Sequence, residues 1–104
     1  MKTLLVKLIT FSFFPFIISA QDFEMGDTLV AYDFFVKAEM FSDSAEYDSA
    51  VVYFEKAGFI FEKEEVWGRY LDCLIGMGNT YSKIGNYEKS LECYNLFWNF
   101  FLTM

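Results

Sequence analysis

The chain has no histidine, and with it go the commonest general base of enzyme catalysis and a common metal ligand. Its two cysteines, Cys73 and Cys93, lie twenty residues apart and form no close pair of the metal-binding kind. No motif sets a base beside either thiol, so no nucleophile and base can be assembled. Basic residues number only 8 against 15 acids, and they form no run. An acidic surface repels phosphate, which argues against a nucleic-acid partner. No phosphate-cradling loop is present either, because Gly76 and Gly78 fall inside a helical stripe rather than between a strand and a helix. Glu64 and Glu65 are adjacent, so they point to different sides of a helix, and acids at a helix start are favoured by its dipole. The expectation is a non-enzyme with no catalytic residue, no cofactor and no metal.

What the chain does have is aromatic residues, 22% of its length. A disordered tail does not carry so many, so this sequence must bury surface. Its 104 residues leave room for one small domain.

Residues 1–20 have the form of an export signal. Lys2 and Lys7 supply a positive start, Leu8 to Ile18 an apolar stretch interrupted by Pro15, and Ser19-Ala20 small residues before the polar Gln21-Asp22. The stretch is short of the ~20 apolar residues that a spanning helix needs. Cleavage after Ala20 is therefore preferred to a retained anchor, and no stable membrane span is expected afterwards. No cysteine follows the apolar stretch, so a lipid anchor is not supported. Removal of the leader takes away Lys2 and Lys7 and no acid, so the net charge falls from −7 to −9. A periplasmic or secreted location follows, and an oxidising compartment would permit a Cys73–Cys93 bridge. Two small half-buried residues on separate helices are the preferred reading of that pair.

Residues 21–27 read as an acidic lead-in, with Gly26-Asp27-Thr28 as a helix start. Val30, Phe34, Ala38 and Phe41 then mark one face of a helix from about Thr28 to Ser42. A polar break at Ser42-Asp43-Ser44 leads to a second helix with Tyr47, Ala50, Val51, Phe54, Ala57, Gly58 and Phe61 on its apolar or small positions. The same offsets recur as Tyr87, Ser90, Leu91, Tyr94, Phe97, Trp98 and Phe101, a shift of forty residues throughout. On the paired first helices Phe34 maps to Leu74, Ala38 to Gly78 and Phe41 to Tyr81. This is an internal repeat. Between its halves, Gly85 suits a left-handed helix end and Asn86 the cap of the next helix. The expected division is 28–61 for the first helix pair, 62–66 for a connector and 67–102 for the second pair.

Leu74, Met77-Gly78 and Tyr81 on one helix, with Ser90 and Tyr94 on the next, resemble the tetratricopeptide repeat. The longer spacing is similar to a variety found in exported bacterial proteins, some of which carry a protease-like domain after the repeats. The resemblance implies an all-α fold, two antiparallel helix-turn-helix repeats forming a solenoid fragment behind the signal peptide. It also implies a non-catalytic scaffold that binds a protein or peptide on a concave face lined by the first helix of each pair. Carried over residue by residue, that face is Tyr32, Phe35, Glu39, Ser42 and Asp43, then Asp72, Ile75, Asn79, Ser82 and Lys83. Only Asn79 and Lys83 suit the carboxylate clamp of chaperone-binding members, while Glu39, Asp43 and Asp72 are acidic. A basic or mixed apolar peptide fits better.

The end of the second pair departs from the first. Phe97 and Trp98 stand where Ala57 and Gly58 stood, and Phe100, Phe101 and Leu102 add apolar surface. A solenoid needs about three repeats and a polar cap. Three readings stay open: a truncated relative serving as the input segment of a longer sensor or protease-linked protein, a homodimer or docking surface at Phe97, Trp98 and Phe101, or aromatics folded back as a cap. The first two are preferred, since exposed apolar patches mark contacts.

Overall fold

The structure is a computed structural model that describes residues 14–104, with side chains from Gly26 onward. Four helices follow one another: α1 (Phe14–Asp43), α2 (Tyr47–Lys63), α3 (Trp67–Ile84) and α4 (Tyr87–Thr103). Among the described residues there is no strand. Each helix folds back on the one before it, and α1 also touches α3. The positively charged start of the leader lies outside the described residues, as does most of its apolar stretch.

The helices end alike. Phe41, Phe61 and Tyr81 each accept, at their carbonyls, the N–H of the residue five positions on: Glu46 at 2.8 Å, Val66 at 2.8 Å and Asn86 at 2.9 Å. Ser42, Glu62 and Ser82 accept the N–H three positions on, from Ala45, Glu65 and Gly85. This paired pattern satisfies two carbonyls that a helix end would otherwise leave bare, and it needs a left-handed residue at the turn. That residue is Ala45 (φ 61°), Glu65 (φ 60°) and Gly85 (φ 91°) in turn. The three turns are twenty residues apart, so the forty-residue period divides into two equal helix-and-turn units. Asn86 then caps α4, its side-chain oxygen accepting the Lys89 N–H at 3.2 Å.

Four expectations need correction. The first helix does not begin near Thr28; it runs unbroken from Phe14 through Gly26, Asp27 and Thr28. Gly and cap-type residues only weaken a helix, by about 1 kcal/mol at most for Gly, and do not oblige it to start. The connector 62–66 is shorter than expected, because Glu62 and Lys63 complete α2. Glu64 and Glu65 occupy the turn itself, not the first turn of α3, which starts after Val66. The buried face of α1 is Ala31, Phe35 and Ala38. Val30 is exposed, and Phe34 and Phe41 are only half-buried. The face is turned from the expected stripe because α3 approaches α1 as well as α2, so the covered arc is centred between two neighbours.

Packing rests on rings set against small residues. Phe54 of α2 lies over Gly76 of α3; a Cβ built on Gly76 would stand 2.6 Å from the ring. Tyr94 of α4 lies over Gly78 in the same way, also at 2.6 Å. A Cβ on Gly58 would stand 3.3 Å from Cys73 Cβ. Ala38, Ala50, Ala57 and Phe61 are wholly buried. Each fully buried aromatic ring contributes about 1.5–3 kcal/mol. Ser90, in the place of Ala50, donates its hydroxyl to the Gly78 carbonyl at 2.8 Å and so ties α4 to α3.

The turns yield a test. A left-handed conformation costs a non-Gly residue roughly 1–2 kcal/mol, and Gly gives part of this back through its larger unfolded-state entropy. Ala45→Gly and Glu65→Gly should each raise the urea midpoint by the equivalent of about 0.5 kcal/mol, whereas Gly85→Ala should lower it by about 1 kcal/mol. Loss of stability in all three variants would contradict the shared turn.

Candidate functional site

The residues named for the concave face come from two helices, α1 and α3. These run side by side in the same direction, because the intervening α2 reverses the chain. Their facing sides and the underlying ring of Phe54 enclose an open groove of about 630 Å³. Phe35, Glu39, Asp43, Asp72, Ile75, Asn79 and Lys83 all line it, as does Ser42. From Arg69 to Lys83 it follows roughly 20 Å of helix at 1.5 Å per residue.

Two of the named residues lie elsewhere. Tyr32 does not line the groove; its ring packs edge-on against Phe61, centroids 5.1 Å apart. Ser82 is half-buried, and its carbonyl belongs to the turn at Gly85. Phe35 is in the groove as floor rather than wall, buried against Phe54 with ring centroids 5.6 Å apart.

Arg69, Phe54, Gly76 and Thr80 also line the groove and were not anticipated. Gly76 is small because Phe54 lies on it, and Thr80 donates its hydroxyl to the Gly76 carbonyl at 2.7 Å. Arg69 closes one end. Its guanidinium sits 5.1 Å from the Tyr32 ring centre and 5.5 Å from that of Phe35, and pairs with Asp72 at 3.3 Å. Tyr32 is the main influence holding the Arg69 pKa above its ordinary value, with Asp72 and Glu39 adding to it. The sequence signal was available: an Arg three residues before an Asp, on a helix facing aromatic residues. At the other end the Lys83 ammonium lies 5.8 Å from the Tyr47 ring centre. Glu39 and Asp43 form no ion pair among the described residues.

The groove therefore has an apolar floor of Phe35, Phe54 and Ile75, two uncommitted carboxylates on the α1 side, and cations held at its ends. Its carboxylates and amide can bind and orient a polar chain laid over an apolar floor. No cluster of Cys, Asp and Glu among the described residues could hold a metal ion.

The thiols belong to the packing. Cys73 and Cys93 are both buried and unpaired. Burial pushes the Cys73 thiol up to about 12, with Asp72 adding to it. Burial also raises Cys93, with help from Glu92 and Glu55. Neither supplies thiolate at neutral pH. Among the described residues, no helix is long and apolar enough to cross a membrane.

Of the second surface named from the sequence, Trp98 and Phe101 are 54% and 50% exposed and Phe97 is half-buried. Phe97 meets Trp98 at 5.3 Å and stacks on Phe101 at 5.8 Å. Phe100 folds back onto Trp67 and Tyr70, at 4.9 and 5.5 Å. Phe100 thus covers α3 while Trp98 and Phe101 stay outside.

Compared with known protein families, with curated proteins and with solved structures, the chain has no significant match.

The thiol shift has a measurable consequence. Between pH 9.0 and about 12 the folded chain keeps the Cys73 proton that the unfolded chain releases. The unfolded state then binds fewer protons, so stability falls as pH rises. Tyr70 and Tyr81, both raised from 10.0 by burial, act with the same sign at higher pH. Urea midpoints should hold steady near neutrality and decline above pH 9; a midpoint that climbs there would contradict the burial of these groups.

Proposed function

We propose that the chain is a non-catalytic interaction scaffold of the tetratricopeptide type, exported from a bacterial cell after removal of residues 1–20. It holds a peptide segment of a partner protein in the groove between α1 and α3. The observation that carries this reading is the gathering of Phe35, Glu39, Asp43, Asp72, Ile75, Asn79 and Lys83 along a single groove. The forty-residue repeat and the alternation of helices support the solenoid geometry in which first helices line a binding face.

The ligand chemistry follows from the lining. Phe35, Phe54 and Ile75 take apolar side chains. Glu39 and Asp43 take a basic one, since Arg69 is already paired with Asp72. An extended segment of roughly six residues spans the groove at about 3.3 Å per residue. Alternating basic and apolar residues would direct one set to the α1 carboxylates and the other to the floor. Charge complementarity of this sort sets specificity and association rate more than affinity.

Fluorescence anisotropy with labelled hexapeptide pools tests the reading. A Lys/Leu pool should bind and be recovered uncleaved. Glu39→Lys/Asp43→Lys should weaken that binding at least about tenfold, and added salt should weaken it too. Equal binding of a Glu/Leu pool, or no binding of either, would overturn the proposal.

A further inference from the structure

The forty-residue correspondence gives every position of α4 a counterpart in α2. In α2, Val51, Phe54, Gly58 and Phe61 are buried, with Phe54 seated on Gly76 and Gly58 against Cys73 of α3. In α4 the counterparts Leu91, Trp98 and Phe101 are 61%, 54% and 50% exposed. Tyr87 and Leu102 extend the same stripe and are also exposed. The face with which α2 receives α3 is thus repeated on α4, and nothing among the described residues covers it. From Cys93 to Met104 it carries no charged residue, in a chain of net charge −7.

We propose that α4 pairs with α4 of a second copy of this chain, antiparallel about a two-fold axis between Tyr94 and Asn95. A head-to-tail stack is the obvious alternative, with α1 of one copy on α4 of the next as α3 lies on α2. The side chains oppose it. Trp98 stands in the place of Gly58, where even a single Cβ would come within 3.3 Å of its neighbour. Asp33 and Val36 of α1 stand in the places of Cys73 and Gly76. Such a stack would press an indole and a carboxylate into the closest contact and offer Val36 where α2 finds the bare backbone of Gly76, while the Tyr94 ring is already seated on Gly78 of its own chain. Asp33 would also lose the water around its exposed pair with Lys37, 3.1 Å away.

The two-fold arrangement meets none of these obstacles. It sets Leu91 opposite Trp98 and Tyr87 opposite Leu102 of the other copy, so each bulky position faces a slimmer one. It brings together a stripe of uncharged side chains on two acidic chains and lays Glu88 opposite Phe101 rather than opposite a second acid. Depletion of charge with enrichment of aromatics is the composition of an interface core. Five side chains, half to three-quarters exposed, at ~150–250 Å² for an aromatic, offer roughly 500 Å² per copy or about 1,000 Å² in all, the low end for a specific interface and the size of a reversible dimer. The groove between α1 and α3 has no α4 residue in its lining, so the dimer carries two open grooves. The pairing rests on α4 alone and is independent of what the groove binds.

Light scattering during size exclusion of the full chain, over a range of concentrations, tests the state. Bismaleimide cross-linking of Asn95→Cys tests the symmetry. The expected results are a mass of two chains that does not grow further, and a cross-linked dimer from Asn95→Cys that the wild type, with both thiols buried, does not give. Leu91→Glu/Trp98→Glu should halve the mass while circular dichroism stays helical; should that variant fail to fold, the cross-link still decides. A monomer at every concentration would overturn the proposal. So would open-ended growth, a dimer that survives the double substitution, or the lack of an Asn95→Cys cross-link.

Discussion

Helices in this chain approach as closely as they do because an aromatic ring on one is seated on bare backbone of the next. Phe54 lies over Gly76 and Tyr94 over Gly78, each within 2.6 Å of where a Cβ would stand. Interiors of this kind are close-packed, so a gap or an extra methylene at such a seat is felt at once. The seats set the spacing of α2 to α3 and of α3 to α4. They also decide what lies between the helices. With Phe54 drawn down onto Gly76, its ring becomes the floor over which α1 and α3 face each other. The groove is therefore a product of the packing and not a separate feature laid upon it.

Chain reversal is the second constraint, and it too is repeated. One hydrogen-bond pattern closes α1, α2 and α3 at intervals of twenty residues. Equal helices and equal turns put side chains forty residues apart in equivalent settings. This is why α1 and α3 share a face, and why the exposed stripe of α4 can be compared with the buried stripe of α2. The thiols, the raised phenols and the buried Ser90 all belong to this packing. The charged groups on the groove stand apart from it, at the surface where the packing leaves room.

Much of the helical pattern was legible in advance, because it rests on periodicity. The starts of α2, α3 and α4, the forty-residue shift, the left-handed Gly85 and the capping Asn86 all have direct local causes. Most of the groove lining was named through the resemblance to the tetratricopeptide repeat, whose concave-face positions carry over onto α1 and α3. Other features depend on tertiary contact and leave weak local traces. Ala45 and Glu65 adopt the conformation that Gly85 adopts, yet neither is a residue that advertises it. Phe35, not Phe34, is buried in α1 because two helices cover α1 rather than one. Gly76 was legible as a helical position, but the reason it is glycine, the Phe54 ring seated on it, comes from another helix. Arg69 became part of the groove only through rings on another helix.

Nuclear magnetic resonance of the Gly76 and Gly78 α-protons tests the ring-on-glycine contacts most directly. A proton beneath an aromatic ring is shielded, and it exchanges magnetisation with the ring protons above it. The expected result is upfield-shifted α-protons at both glycines, with cross-relaxation from Gly76 to the Phe54 ring and from Gly78 to the Tyr94 ring. Unshifted protons without those cross-peaks, in a chain still helical by circular dichroism, would mean the helices do not pack through these seats, and the groove built on them would fall with them.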